Sequence, residues 1–250
     1  IEQAVRGAAF GPEPRQRLDV YRPRRAGEDL PVILFLYGGN WQSGTRSGYE
    51  FAGRALAAQG FVVAVPDYRL VPEVRFPAFL EDNAAALRWV RRNARRFGAD
   101  ADRIVLVGHS AGAYNAAMLA LDPTWLGDDR QAVRGFVGIA GPYDFLPLDS
   151  PITRAAFGSA PDPRATQPVN FGSADDPPAL LLHGTADRTV YPRNSERLAE
   201  RLRSAGVEAQ VELYPGTGHV GIVTALARPF RGKAPVLRDT AAFARRVTAR

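Results

Sequence analysis

The 250-residue chain has no cysteine, which excludes disulfides, thiolate metal sites and a thiol nucleophile. It also lacks any apolar run near the roughly 18 residues of a membrane span. The expectation is therefore a soluble protein, with a cytoplasmic location. The chain opens at Ile1 with no signal-like segment, so it reads as trimmed and leaves a removed leader open. Lysine is nearly missing, Lys233 being the only one, so the net charge of +6 rests on arginine. These arginines are interleaved with acids, as in Arg91, Arg92, Arg95 and Arg96 followed by Asp100 and Asp102. That pattern belongs to a solvated helix face, and no nucleic-acid partner is expected. Histidine is scarce as well: only His109, His183 and His219 are available for acid–base chemistry.

What is present is an ordinary globular composition, 46% hydrophobic and 23% charged, without repeats or low-complexity tracts. Residues 1–17 are polar and punctuated by Gly and Pro, and read as an irregular lead-in. Leu18-Asp-Val-Tyr21 alternates and predicts a short edge strand, followed by a turn-rich stretch at 24–31. Continuous apolar runs at 32–37, 61–65, 104–107, 133–140 and 179–183, with a further strand at 207–214, predict strands buried on both faces. Helical spacing predicts helices over 48–59, 78–96, 111–121, 193–205 and 236–248. Strands alternating with helices imply one α/β domain spanning 1–250, a mostly parallel sheet with helices on both faces. A Pro-rich insertion at 142–178 is long enough to serve as a lid.

The 104–107 run ends in Gly108-His-Ser-Ala-Gly112, a Gly-x-Ser-x-Gly between strand and helix. A serine at such a corner is held clear of the sheet, at the positive end of the next helix. Ser110 is thus the candidate nucleophile, and a hydroxyl needs an adjacent base. His109 lies inside the turn and should point away from Ser110. His183 closes a buried strand and reads as structural. His219, in a glycine-rich loop after the last strand, is the candidate base, in the chain order Ser, Asp, His. Asp187 follows the 179–183 strand and is preferred over Asp144 as the orienting acid. Backbone amides of Gly39, Asn40 and Ala111 could form an oxyanion hole. Trp41, Phe145, Leu146 and Val220 are candidates for the pocket wall, while Arg69 and Glu73 read as loop-fixing ion pairs.

Taken together, Tyr37-Gly-Gly-Asn-Trp41, the serine turn, Asp187, His219 and the Asp67-Tyr-Arg-Leu-Val-Pro-Glu73 stretch resemble an α/β-hydrolase of the esterase group. The chain is similar to arylformamidase-like and hormone-sensitive-lipase-like bacterial carboxylesterases, and nearer the former because few residues precede Leu18. The resemblance implies a serine carboxylesterase acting on small or short-chain esters through an acyl-enzyme, with neither metal nor cofactor. An arylformamidase or amidase using the same triad is the alternative; a catalytically silent binding protein is another. Tyr37 departs from the family, which has histidine there, so support of the oxyanion loop should differ.

Overall fold

The computed structural model describes residues 1–24 and 27–250; two positions of the turn-rich stretch at 24–31 therefore lie outside the described residues. The strands are β1 (Glu2–Ala9), β2 (Arg17–Arg22), β3 (Leu30–Leu36), β4 (Val62–Pro66), β5 (Ala99–His109), β6 (Val133–Ile139), β7 (Ala179–Gly184) and β8 (Ala209–Tyr214). They form one sheet in the order β1-β2-β4-β3-β5-β6-β7-β8. The pairs β1/β2 and β2/β4 are antiparallel, and every other neighbouring pair is parallel. The helices are α1 (Glu50–Ala57), α2 (Ala78–Asn93), α3 (Ala111–Leu121), α4 (Pro123–Leu126), α5 (Pro151–Phe157), α6 (Arg193–Ser204), α7 (His219–Thr224) and α8 (Val236–Val247).

The two-residue period of a strand explains how one sheet supports two cores. In β3, Ile33 and Phe35 join Val63, Val65, Val105 and Val107 against α1 and α8. Their neighbours Val32, Leu34 and Leu36 join Ala64, Ile104 and Leu106 against α2, α3 and α6. Both faces are covered, so the central strands read as unbroken apolar runs.

Three expectations need correction. Residues 2–9 form β1 rather than an irregular lead-in. Its alanines and Gly7 carry little β-strand signal, and its register slips between Gln3 and Val5 and again between Val5 and Ala8. As a result β2 is not an edge strand: it lies between β1 and β4. The third concerns His219, expected in a glycine-rich loop, which is the first residue of the short helix α7.

Ion pairs fix the loops beside the sheet. Arg69 Nη2 donates to Asp82 Oδ1 at 2.8 Å, and the Arg69 backbone N–H donates to Asp82 Oδ2 at 2.8 Å. Glu73, expected to do likewise, makes no ion pair among the described residues. Arg46 bridges two buried carboxylates, pairing with Asp19 at 3.1 Å and with Asp67. No helix among the described residues is long and apolar enough to cross a membrane.

Candidate active site

The turn from β5 into α3 bends at Ser110, which has φ 53° and ψ −121°. A non-glycine residue at positive φ is strained by roughly 1–3 kcal/mol and persists only where the surroundings hold it. Here they do. The Ser110 N–H donates to Ile139 O at 2.9 Å, and Ser110 O accepts from Ala113 N at 2.9 Å. The flanking glycines are required by close packing, since a Cβ on Gly112 would collide with the Leu36 carbonyl and one on Gly108 with the Gly112 carbonyl.

Two loops bring the partners to this serine. The loop after β7 carries Asp187 and the loop after β8 leads to His219, and they are laced together. Thr185 N–H donates to Tyr214 O at 3.0 Å, Ala186 N–H to Thr217 O at 3.1 Å, and Gly216 N–H to Thr185 Oγ1 at 3.0 Å. His219 Nδ1 lies 2.7 Å from Asp187 Oδ2, and His219 Nε2 lies 2.9 Å from Ser110 Oγ. Facing a carboxylate, Nδ1 carries the hydrogen, which leaves Nε2 free to accept the serine proton.

This close approach depends on Gly184, where a Cβ would collide with the Thr217 carbonyl. Gly184→Ala should therefore push the loops apart. We expect a stability loss of about 1–3 kcal/mol and a fall in kcat on the order of 100-fold, measured by thermal denaturation and an ester assay.

Asp187 is 2% exposed. Its Oδ1 accepts from the Thr189 and Val190 amides, each at 2.9 Å. Burial works to raise this carboxyl, but the His183 ring edge at 3.4 Å, the His219 bond and the Val190 amide outweigh it. The group is held well below the ordinary carboxylate range. His183 is fully buried, as the sequence implied. Its Nε2 donates to Val190 O at 2.8 Å, and its Nδ1 accepts from Ser195 Oγ at 2.8 Å. That it also flanks Asp187 was not evident in the sequence, although the spacing of four residues was there to suggest it. The rival Asp144 is engaged by Arg197 Nη1 instead.

On the opposite side of Ser110, the 38–41 loop winds through positive φ at Gly39 (136°), Asn40 (56°) and Trp41 (59°). The amides of Gly39, Asn40 and Ala111 donate to no other group among the described residues. Asn40 and Ala111 line the cavity beside Ser110, whereas Gly39 is turned against Ser43 and does not. Tyr37 replaces the expected histidine with a different brace. Its ring stacks on Tyr68 with centroids 4.7 Å apart, and its hydroxyl accepts from Arg15 Nη2 at 2.9 Å. The same Arg15 also donates to Gly44 O at 2.8 Å and to Tyr68 O at 2.9 Å. Arg15 is a supporting residue that sequence reasoning missed, because it lies 22 positions from Tyr37 in an uncharacterised stretch.

A cavity of about 410 Å³ opens at Ser110. Trp41, Phe145 and Leu146 line it as expected, and Tyr191, Arg193 and Thr189 form another wall. Val220 does not line it: following the first residue of a surface helix, it is 66% exposed. Trp41 also belongs to the core, edge-on to Phe157 at 4.8 Å. Residues 142–178 are anchored through that buried Phe157 and through Asn194 of α6, whose Oδ1 accepts from Tyr143 N at 2.8 Å and Asp144 N at 2.9 Å.

A mostly parallel sheet covered on both faces, with a serine at a strand-to-helix corner and an Asp–His pair beyond later strands, is an α/β-hydrolase fold. The profile of the family described as BD-FAE matches residues 18–202, and the chain belongs to that family. Isoprenylcysteine alpha-carbonyl methylesterase ICME of Arabidopsis thaliana is 29% identical over 266 residues, covering 95% of this chain and 61% of its own length. Esterase LipC of Mycobacterium tuberculosis is 32% identical over 239 residues, covering 86% of this chain and 59% of its own. The chain thus spans about 60% of the length of these curated relatives. Among solved structures, a truncated carbohydrate esterase from gut microbiota superposes with a TM-score of 0.85 at 23% identity, covering 98% of this chain and 95% of that one. A butyrate-bound esterase, Est2 of Thermogutta terrifontis, does so with a TM-score of 0.78 at 23% identity, covering 95% and 92%.

Proposed function

We propose that the protein is a serine carboxylesterase acting on small or short-chain carboxylic esters, with Ser110, His219 and Asp187 as its catalytic triad. The observation that carries this reading is the unbroken line Asp187–His219–Ser110 at the mouth of a cavity. His219 Nε2 takes the hydroxyl proton as Ser110 Oγ bonds to the ester carbonyl carbon. The negative charge gathers on the former carbonyl oxygen, where the free amides of Asn40 and Ala111 stabilise it. The C–O bond to the alcohol then breaks, and the alcohol leaves with the proton from His219. Water, deprotonated by His219, then attacks the acyl carbon, and as the bond to Ser110 Oγ breaks His219 returns that proton to Oγ, releasing the carboxylic acid and free Ser110. Asp187 holds the imidazole tautomer and stabilises the imidazolium without accepting its proton.

A cavity of about 410 Å³ suits a compact ester, and relatives named as esterases support an ester over an amide. We read the whole chain as one domain, with 142–178 forming the cavity wall and small molecules as its partners. Ion pairing of the surface arginines supports a reading without nucleic acid, even where basic residues are most concentrated. Residues 225–250 hold seven basic residues and one acid, an excess equal to the net charge of the whole chain. Arg246 and Arg250 of that stretch are paired with Glu208 and Asp29.

A panel of p-nitrophenyl esters from acetate to palmitate, run beside a formanilide, tests the proposal. We expect kcat/KM to peak at acetate to butyrate and the anilide to be poor. A maximum on long chains, or a formanilide turned over faster than its matched ester, would overturn the substrate assignment.

A further inference from the structure

His109 is absorbed by neither the triad nor the oxyanion side, yet it is buried between the elements that carry both. The residue is 5% exposed and its ring centroid lies 5.1 Å from that of His219. Its Nε2 is 3.3 Å from the His219 backbone carbonyl, and its Nδ1 is 3.0 Å from the Tyr49 hydroxyl. Nε2 faces a carbonyl and therefore carries the hydrogen, so Nδ1 accepts from Tyr49. Behind Tyr49 stand Tyr37, with ring centroids 5.7 Å away, and Phe35 at 5.8 Å. The backbone at Gly38 also presses on the ring, so that a Cβ there would sit 2.9 Å from Nδ1.

The consequence is mechanical. His219 is the first residue of α7 and follows a Gly-Thr-Gly stretch, so from its own segment its carbonyl is held only by the first turn of a six-residue helix. A donor from outside the helix comes from the residue preceding Ser110, at the end of β5, which lies between β3 and β6. Resting on the esterase reading above, we propose that His109 is a positioning residue that ties the backbone of the catalytic base to the nucleophile's own strand. Tyr49 fixes its tautomer.

The neutral form is the one this role requires. Burial, reinforced by His219 alongside, pushes the His109 imidazole down to about 3, so it remains an uncharged single donor throughout the range where the enzyme would work. A cation there would stand beside the imidazolium formed at His219 during turnover.

The test is a set of three variants assayed for kcat, KM, thermal midpoint and rate of labelling by a fluorophosphonate probe. His109→Leu removes both hydrogen bonds. We expect kcat and the labelling rate to fall 10- to 100-fold with KM within about two-fold, because misplacing a base costs on that order. His109→Gln returns an amide donor toward the His219 carbonyl and should recover most of the loss. Tyr49→Phe removes the tautomer lock together with the hydroxyl's contact to the Gly38 amide, and should lower kcat at least about three-fold, the worth of one neutral hydrogen bond. The proposal is overturned if kcat of the leucine variant stays within about two-fold of the parent. It is also overturned if glutamine fails to restore activity although it folds with the parent's thermal midpoint. Should the leucine variant not fold, an unchanged kcat in Tyr49→Phe overturns it. A parent protein that the probe does not label refutes the esterase reading itself. A labelled, active parent with indifferent variants refutes only the role of His109.

Discussion

Replacing Ser110 with glycine is expected to abolish hydrolysis and, at the same time, to raise the thermal midpoint. Hydrolysis should fall by on the order of 10⁶-fold in kcat, because the residues of a triad act as a unit and the nucleophile has no substitute. The rise in stability follows from the backbone. Ser110 sits at φ 53°, a conformation that glycine adopts without a Cβ penalty. Relief of about 1 kcal/mol would lift the midpoint of a chain of this size by roughly 2–4 °C. Ser110→Ala serves as the control, since it loses the hydroxyl and keeps the Cβ. It should be equally inactive with no gain in stability. Activity assays and calorimetry on the three proteins separate the two effects. An alanine variant that still hydrolysed p-nitrophenyl acetate at the parental rate would remove Ser110 from the mechanism.

Asp187→Asn should reduce kcat by about 10⁴-fold with the fold retained, because an amide presents the imidazole with the wrong hydrogen-bonding partner and tautomer. The pH dependence follows from the same contacts. Asp187 is held well below the ordinary carboxylate range in the folded protein, so it stays ionised there under conditions in which the unfolded chain would bind a proton. Its contribution to stability is thus fully present above the unfolded value near 3.9 and is lost as pH falls below it. The Asp187 carboxyl should accordingly make no contribution to the acid limb of kcat/KM in the ordinary carboxylate range. A pH–rate profile whose acid limb fell near pH 4 would contradict this assignment.

Most of the site was legible because its chemistry imposes local sequence rules. Gly108 and Gly112 are required by backbone collisions that no other residue avoids, so the serine corner is written in five adjacent positions. His219 and Asp187 were legible by scarcity and by place, at loops following buried strands. What escaped the sequence is what packing across distant segments decides. Strand β1 pairs through alanines and bulges that give no alternation to detect. The braces Arg15 on Tyr37 and His109 on His219 join positions 22 and 110 residues apart. Neither end of such a contact advertises the other. Val220 was misplaced for a related reason: named for the pocket wall because it is apolar and adjoins His219, it follows the first residue of a helix that turns it to solvent.

The sheet order has a consequence for how activity arises during synthesis. From β5 onward, spatial neighbours follow the chain, β5-β6-β7-β8, so each new strand emerging from the ribosome meets an edge that is already formed. Such growth avoids waiting for a distant segment to return, the step that slows sheets with non-local pairing. The serine corner is made with β5, but its base arrives 109 residues later, beyond the outermost strand. On the proposed mechanism, a nascent chain would display a folded but unactivated serine until β8 had docked, and hydrolytic competence would report completion of the sheet.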